Sequence, residues 1–435
     1  MSVELVGVLI ITSVLTLMFF RIPIVIAMAV PACIGITYIK GWNTLLSAID
    51  SIVWQQSYSY TLSTIPLFVL MGQFLYSAGL SSELFTTFRN WFGRFKGGLG
   101  LATIGSSAVF AAASGSSLAT TGTMGAIASK EMLKGGYSQT LAGGSIVAGG
   151  ALGILIPPST TFIIYGMITE QSIGKLLTAG IIPGILLSLL FMLTITVCIL
   201  IKPSLVSTRD EQKVSWKERF SSLKSNLWIL VLFIIVIGGM YIGFFTVIES
   251  AAVGAFGALL IGLIRRKLTW ESFKEAIFST IQTTGFLFAI ILGAFILNYV
   301  LVITRLPMQL ANFLSSLDMS ATLVFVLIIC MFMILGAIMD TTAMMVVTIP
   351  IILPVVEMLG FDLIWFGVMI VLVVEMALLS PPVGMNCFVL KGVASEFRLE
   401  NIFKGAAIFM IPILVLITLI YVFPDIALYL PNTMR

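Results

Sequence analysis

The chain has 435 residues, of which 59% are hydrophobic and 10% charged, with a mean hydropathy of +1.13. Soluble domains carry about 25% charged residues, so this composition excludes a soluble protein and requires an integral membrane one. Helix-length apolar runs, rather than short alternating ones, point to an all-α polytopic bundle and not a β-barrel; the formal charge of +4 matters less than where the charges fall.

In chain order, apolar segments are predicted at 3–20, 24–39, 62–80, 139–169, 177–201, 227–245, 249–264, 281–304, 363–392 and 406–423. The first twenty residues contain Glu4 and no Lys or Arg, so 3–20 reads as a membrane helix and not a cleaved leader. The segments 139–169 and 363–392 are long, and each contains a Pro-Pro pair, Pro157-Pro158 and Pro381-Pro382, which marks a broken helix. Two further apolar regions, about 98–129 and 319–357, are interrupted near their middles and are expected to be re-entrant helical hairpins. Ten crossings and two hairpins put both termini on one face. With that face outside, the inner loops collect 19 of the 23 Lys and Arg, leaving Lys40, Lys175, Arg305 and Arg435 outside.

The same order of segments occurs twice. Segments 3–20 and 24–39 match 227–245 and 249–264, and each pair is followed by a Trp-led stretch from Trp42 or Trp270 that suits an interfacial amphipathic helix. A crossing, a hairpin, a Pro-Pro-broken helix and a last crossing then follow in both halves. Thr120-Thr121 and Thr341-Thr342 lie 221 positions apart, as do Gly72 and Gly293. Opposite charge bias makes this an inverted-topology repeat, in which paired interrupted segments point to a transporter's binding site. The expected units are 1–61 (scaffold helices and arm), 62–201 (transport-domain half), 202–226 (cytoplasmic linker), 227–280 (second scaffold part) and 281–435 (second transport-domain half).

Chemistry concentrates at the interruptions. Ser114, Gly115, Ser116, Ser117, Thr120 and Thr121 crowd the first hairpin. Their hydroxyls and exposed carbonyls suit a hard cation, although close packing through small residues is the competing reading. At the first break, carbonyls near Gly153 and Ile154 are free to face an ion, with Ser159 and Thr160 in reach of substrate. Asp340 lies inside the second hairpin, where an ionisable group is a functional candidate or a helix cap. Glu375 lies in an apolar run with no role assigned, Glu249 reads as a structural helix-start acid, and Asn298 and Asn386 suit either substrate or helix-to-helix bonds. The four cysteines are scattered and read as packing residues. The chain has no His and no Gly-x-x-x-x-Gly-Lys-Ser/Thr, so it offers no imidazole relay and does not itself hydrolyse ATP. It is read as no enzyme, with no cofactor beyond coupling ions and no nucleic-acid partner.

The motifs Ile-Pro-Leu-Phe-Val-Leu-Met-Gly (65–72), Ser-Gly-Ser-Ser-Leu-Ala-Thr (114–120), Gly-Ile-Leu-Ile-Pro-Pro-Ser (153–159), Ala-Gly-Ile-Ile-Pro-Gly (179–184), Gly-Phe-Phe-Thr-Val-Ile-Glu-Ser-Ala-Ala-Val-Gly-Ala (243–255), Met-Asp-Thr-Thr (339–342) and Ser-Pro-Pro-Val-Gly-Met-Asn (380–386) resemble the large, DctM-like membrane subunit of tripartite ATP-independent periplasmic (TRAP) transporters. The resemblance spans nearly the whole chain. It implies an elevator-type, sodium-coupled importer with a scaffold and a moving transport domain. A periplasmic substrate-binding protein would deliver a small organic acid, and a small four-helix membrane subunit would complete the complex in the bacterial inner membrane, with this chain the unfused form. Substrate-facing residues would be Ser114, Ser116, Thr120, Ser159, Asp340 and Asn386. Sodium would use mainly backbone oxygens at Ser114, Ser117, Gly149, Gly153, Pro157, Gly336, Thr341, Thr342, Ser380 and Gly384. Many relatives have an Asp where this chain has Thr120, which favours a C4-dicarboxylate-like substrate here. A stand-alone two-hairpin carrier and a channel are the alternatives.

Overall fold

The computed structural model describes residues 2–207, 214–336 and 339–434. Arg209 and Lys213 of the linker, Ala337 and Ile338 of the second hairpin turn, and Arg435 therefore lie outside the described residues. Within the described residues all regular elements are helical, apart from an isolated antiparallel bridge between Tyr137 and Val206. Among the described residues, five helices are long and apolar enough to cross a membrane, or seven if two bent pairs count as single spans. Shorter apolar helices occupy the other predicted segments, including Val3–Phe19, Ile24–Lys40, Gly98–Ser114 and Leu363–Leu379.

The breaks fall where the small residues and prolines place them. The first hairpin is Gly98–Ser114 followed by Ser117–Lys134, and the second is Ala321–Leu335 followed by Thr341–Met358. The first broken helix runs Gln139–Ala151, a 3-10 turn Leu152–Ile154, then Thr160–Ile168. The second runs Leu363–Leu379, then Met385–Val393. Both Pro-Pro bonds, Pro157-Pro158 and Pro381-Pro382, are cis.

Packing repeats across the halves. Ser117–Lys134 lies on Gln139–Ala151 and on Met385–Val393, and its counterpart Thr341–Met358 lies on Leu363–Leu379 and on Thr160–Ile168. Each hairpin thus touches the first part of its own broken helix and the second part of the other. Likewise Val247–Ile264 packs on Thr64–Ser77, and Ile24–Lys40 packs on Trp270–Thr304.

Three expectations are corrected. The Trp270-led arm and the crossing 281–304 form one 35-residue helix, Trp270–Thr304, capped by Thr269. No proline interrupts that stretch. In the first half, by contrast, Trp42–Ser57 ends before a 3-10 turn and Thr64–Ser77. The stretches between 62–80 or 281–304 and the following hairpin, to which the sequence reading assigns no element, are helices, Leu80–Phe92 and Leu306–Ser316. The first follows Thr64–Ser77 across a 65° bend at Gly79, whose φ of 78° favours glycine. The linker 202–226 is helical from Trp216, opened by a Ser215–Glu218 capping box. Finally, the hairpin turns and breaks register at 224 residues rather than 221: Ser116 and Asp340 are the two hairpin caps, and Pro157 matches Pro381. Thr341 therefore corresponds to Ser117, not to Thr120.

Loops assigned to the inner face do touch one another. Arg265 forms a two-oxygen ion pair with Glu83 at 2.9 and 2.8 Å, and Asn226 donates to Thr87 Oγ1 at 2.6 Å. Gln139 Oε1 accepts from the Arg398 and Asn401 nitrogens at 3.0 Å.

Candidate functional site at the two breaks

Small residues build the first hairpin turn. Gly115 has φ +58°, in the region that favours glycine, and a Cβ there would lie 2.9 Å from the Pro158 carbonyl oxygen. The Ser116 side chain accepts the Ala119 N–H and so starts the returning helix. Thr120 Oγ1 donates to the Ser116 carbonyl at 2.8 Å and stands 2.6 Å from Ser114 Oγ. Ser114 Oγ also lies 3.3 Å from the Ser116 carbonyl, so the two hydroxyls share that acceptor and either can donate to the other. Thr120 is fully buried, and its hydroxyl is used inside the turn.

The first break is seated directly against this turn. Ser159 Oγ donates to the Ile154 carbonyl at 2.5 Å and accepts the Phe162 N–H at 3.3 Å, which closes the gap and caps Thr160–Ile168. Thr160 Oγ1 donates to the Gly115 carbonyl at 3.1 Å. A Cβ on Gly153 would come within 2.5 Å of the Ser116 carbonyl oxygen, and one on Gly149 within 2.5 Å of Ser107 Oγ. Ser114, Ser116, Ser117, Thr120, Gly149, Gly153, Pro157 and Ser159 thus gather around one turn and one break.

The second break gathers a different group. Gly336 packs on Ala377, which brings the second hairpin onto the helix end that carries Ser380. Ser380 Oγ donates to the Ala377 carbonyl at 2.9 Å, and the Gly384 carbonyl accepts the Cys387 N–H at 2.7 Å. Asp340 Oδ1 accepts the Ala343 N–H at 2.8 Å and caps the helix that Thr341 and Thr342 open. Its structural role as a cap is therefore plain. Among the described residues no hydrogen bond joins Asp340 to Thr120, and each is bonded within its own turn. Asn386 makes a helix-to-helix bond, one of its two readings, donating from Nδ2 to Ser117 Oγ of the first hairpin at 2.8 Å.

Glu375, to which sequence reasoning assigns no role, is fully buried and accepts a hydrogen bond from Ser117 Oγ at 3.0 Å. The signal was present as a lone acid in an apolar run, but its partner, Ser117, lies 258 residues upstream. Glu249 is a cap, pairing reciprocally with Thr246. Asn298 lies half-buried within Trp270–Thr304. No group of three or more His, Cys, Asp or Glu gathers among the described residues, so a cation here would be held mainly by neutral oxygens.

Residues 11–426 match the family described as "Tripartite ATP-independent periplasmic transporter, DctM component". The chain is 33% identical over 381 residues to the C4-dicarboxylate TRAP transporter large permease protein DctM of Pseudomonas aeruginosa, covering 87% of this chain and 88% of the relative. It is 32% identical over 376 residues to the sialic acid large permease SiaM of Vibrio cholerae, with 86% and 87% covered. The 2,3-diketo-L-gulonate large permease YiaN of Escherichia coli is 31% identical over 369 residues, with 85% and 86% covered. In fold, the chain is similar to the YdaH transporter of Alcanivorax borkumensis, with a TM-score of 0.63 at 14% identity over 88% of this chain and 90% of that one. It is similar also to MtrF of Neisseria gonorrhoeae, with a TM-score of 0.60 at 14% identity over 88% and 85%. The chain belongs to the DctM component family of tripartite ATP-independent periplasmic transporters and is a large membrane permease, not an enzyme.

Proposed function

We propose that this permease carries out sodium-coupled secondary import of a small organic acid, with a C4-dicarboxylate-like substrate favoured. The observation that carries the reading is the seating of the first hairpin turn in the first helix break, through Thr160 to Gly115 and Gly153 to Ser116. Helix breaks inside a membrane leave backbone groups that need partners, and they persist where they line a site. Half-helix N-termini at Thr160 and Thr341 present N–H groups suited to a carboxylate. Carbonyl and hydroxyl oxygens at Ser114, Ser117, Gly149, Gly153 and Pro157, and at Gly336, Thr341, Thr342, Ser380 and Gly384, supply hard ligands for sodium.

In this reading the hairpins and broken helices form a moving transport domain of elevator type, and Val3–Phe19, Ile24–Lys40, Trp216–Phe233 and Val247–Ile264 belong to the scaffold. Ten crossings and two re-entrant hairpins place both termini in the periplasm and the basic loops inside. The contacts of Glu83 with Arg265 and of Gln139 with Arg398 support that grouping. The working complex lies in the bacterial inner membrane and includes a small four-helix subunit and a periplasmic binding protein that delivers the acid. Substrates named for the relatives differ, and the C4-dicarboxylate preference rests on Thr120. The test is uptake by the reconstituted complex with its binding protein, driven by sodium or by potassium gradients. Uptake is expected only with sodium; equal uptake with potassium sinks the coupling. A thermal-shift screen of the binding protein against mono- and dicarboxylates tests the substrate class.

A further inference from the structure

Ser117, Glu375 and Asn386 form a polar cluster that joins the halves. Ser117 opens the returning arm of the first hairpin, Glu375 lies just before the second break, and Asn386 lies just after it. Ser117 is 2% exposed, and Glu375 and Asn386 are 0% exposed. Ser117 has one hydroxyl proton, and it goes to Glu375 Oε2 at 3.0 Å. The amide of Asn386 must therefore present Nδ2 to Ser117 Oγ, as it does at 2.8 Å, which turns its carbonyl Oδ1 away.

Two oxygens are left over. Glu375 Oε1 and Asn386 Oδ1 are buried without a hydrogen-bond partner among the described residues. Thr121 Oγ1, one turn beyond Ser117 on the same helix, is also without one. The ion pairs among the described residues are Arg89 with Glu131 and Arg265 with Glu83, so Glu375 has no Lys or Arg partner there. A buried carboxylate is tolerated when a positive charge and further polar contacts compensate it. Here the leftover atoms are both hard oxygens, one of them on a carboxyl group with no basic partner among the described residues. One carboxylate is neutralised by a single positive charge, and a divalent ion would leave the buried site charged again.

We propose that Glu375 Oε1 and Asn386 Oδ1 ligate a sodium ion beneath the first hairpin turn, in a side-chain site separate from the backbone-oxygen sites at the two breaks. The site deepens the sodium-coupled reading and rests on it. Since Ser117 belongs to the first half and the other two residues to the second, the ion would hold the hairpin onto the opposite half's broken helix. Binding then stabilises that docked arrangement by RT ln(1 + c/Kd), where c is the sodium concentration, so stability rises with the logarithm of c once c exceeds Kd.

The test uses the full chain in nanodiscs at fixed pH and ionic strength, with sodium chloride replaced stepwise by choline chloride. Radiosodium dialysis counts bound ions, and thermal unfolding gives the sodium concentration needed for a set rise in unfolding midpoint. Glu375→Gln, which preserves shape, is expected to bind one sodium fewer per chain and to need at least tenfold more sodium. Asn386→Ala is expected to raise that concentration severalfold, and it serves as the second variant should Glu375→Gln not fold. An unchanged ion count and sodium requirement in either folded variant overturns the site. So does a wild type whose stability ignores sodium but follows pH in a manner lost in Glu375→Gln, because the compensating charge would then be a proton. Sodium-driven uptake with an unchanged count in Glu375→Gln sinks only this site, whereas sodium-independent uptake by the wild type sinks the reading beneath it.

Discussion

The two hairpins have the same design and opposite textures. The arms of the first pack on each other and on Gln139–Ala151, and its turn is locked by Ser114, Ser116 and Thr120. Contact is close enough that added methyl groups on Gly149 or Gly153 would meet hairpin atoms at 2.5 Å. The second hairpin is held mainly from outside. Ala321–Leu335 packs on Leu363–Leu379, Thr341–Met358 packs on Leu306–Ser316 and Thr160–Ile168, and a carboxylate caps its returning helix. Several large residues of its first arm, including Leu323, Val326, Leu327 and Ile334, are exposed. The lesson is that a repeated sequence pattern fixes where both turns lie, while glycine content decides how tightly each is held.

The largest effect should come from breaking the tight side. Gly153→Ala forces its Cβ onto the Ser116 backbone, which has no rotamer with which to yield. Overpacking of this kind costs about 1–3 kcal/mol, so a lowered unfolding temperature of the purified chain is expected; an unchanged one would show the first hairpin to be looser than its contacts imply. Next, Thr120→Val keeps the shape and removes the proton given to the Ser116 carbonyl. The Ser116 carbonyl keeps the Thr120 backbone N–H at 3.0 Å, so the change removes one net hydrogen bond, worth about 0.5–1.5 kcal/mol, and the loss should appear in the same melting measurement, smaller than for Gly153→Ala.

On the second side, Asp340→Ala removes the cap at a cost of about 1 kcal/mol, whereas Asp340→Asn keeps it. Comparing the two separates capping from substrate binding. Uptake lost in both, with membrane insertion intact, is expected if the carboxylate serves transport; near-normal uptake in Asp340→Asn reduces it to a cap. The smallest effect is predicted at Gly392, where an added Cβ meets nothing within 4 Å. Gly392→Ala should raise stability by up to about 1 kcal/mol through helix propensity, and a loss there would contradict the open space around the end of Met385–Val393.

Much of this was legible in order along the chain. Local polarity and proline placed both hairpins and both breaks, because a stranded backbone group in lipid leaves an unmistakable run of small hydroxyl residues and prolines. Leu80–Phe92 was not anticipated: its bent entry at Gly79 hides an amphipathic helix behind a loop-like charge cluster. Nor was the continuous Trp270–Thr304, since a Trp-led polar start looks interfacial whether or not the helix goes on.

By itself, the sequence determined the membrane class, the twofold plan and the list of oxygen-bearing residues, all of which depend on composition and short-range spacing. The tertiary structure decided how those residues pair. It confined Thr120 and Ser159 to their own turn and break, assigned Asp340 to a cap and joined Ser117 to Glu375 and Asn386. Partners separated by 258 and 269 residues are chosen by how helices pack, and a hydrogen bond of one-proton directionality exists only once that packing has brought them within 3 Å.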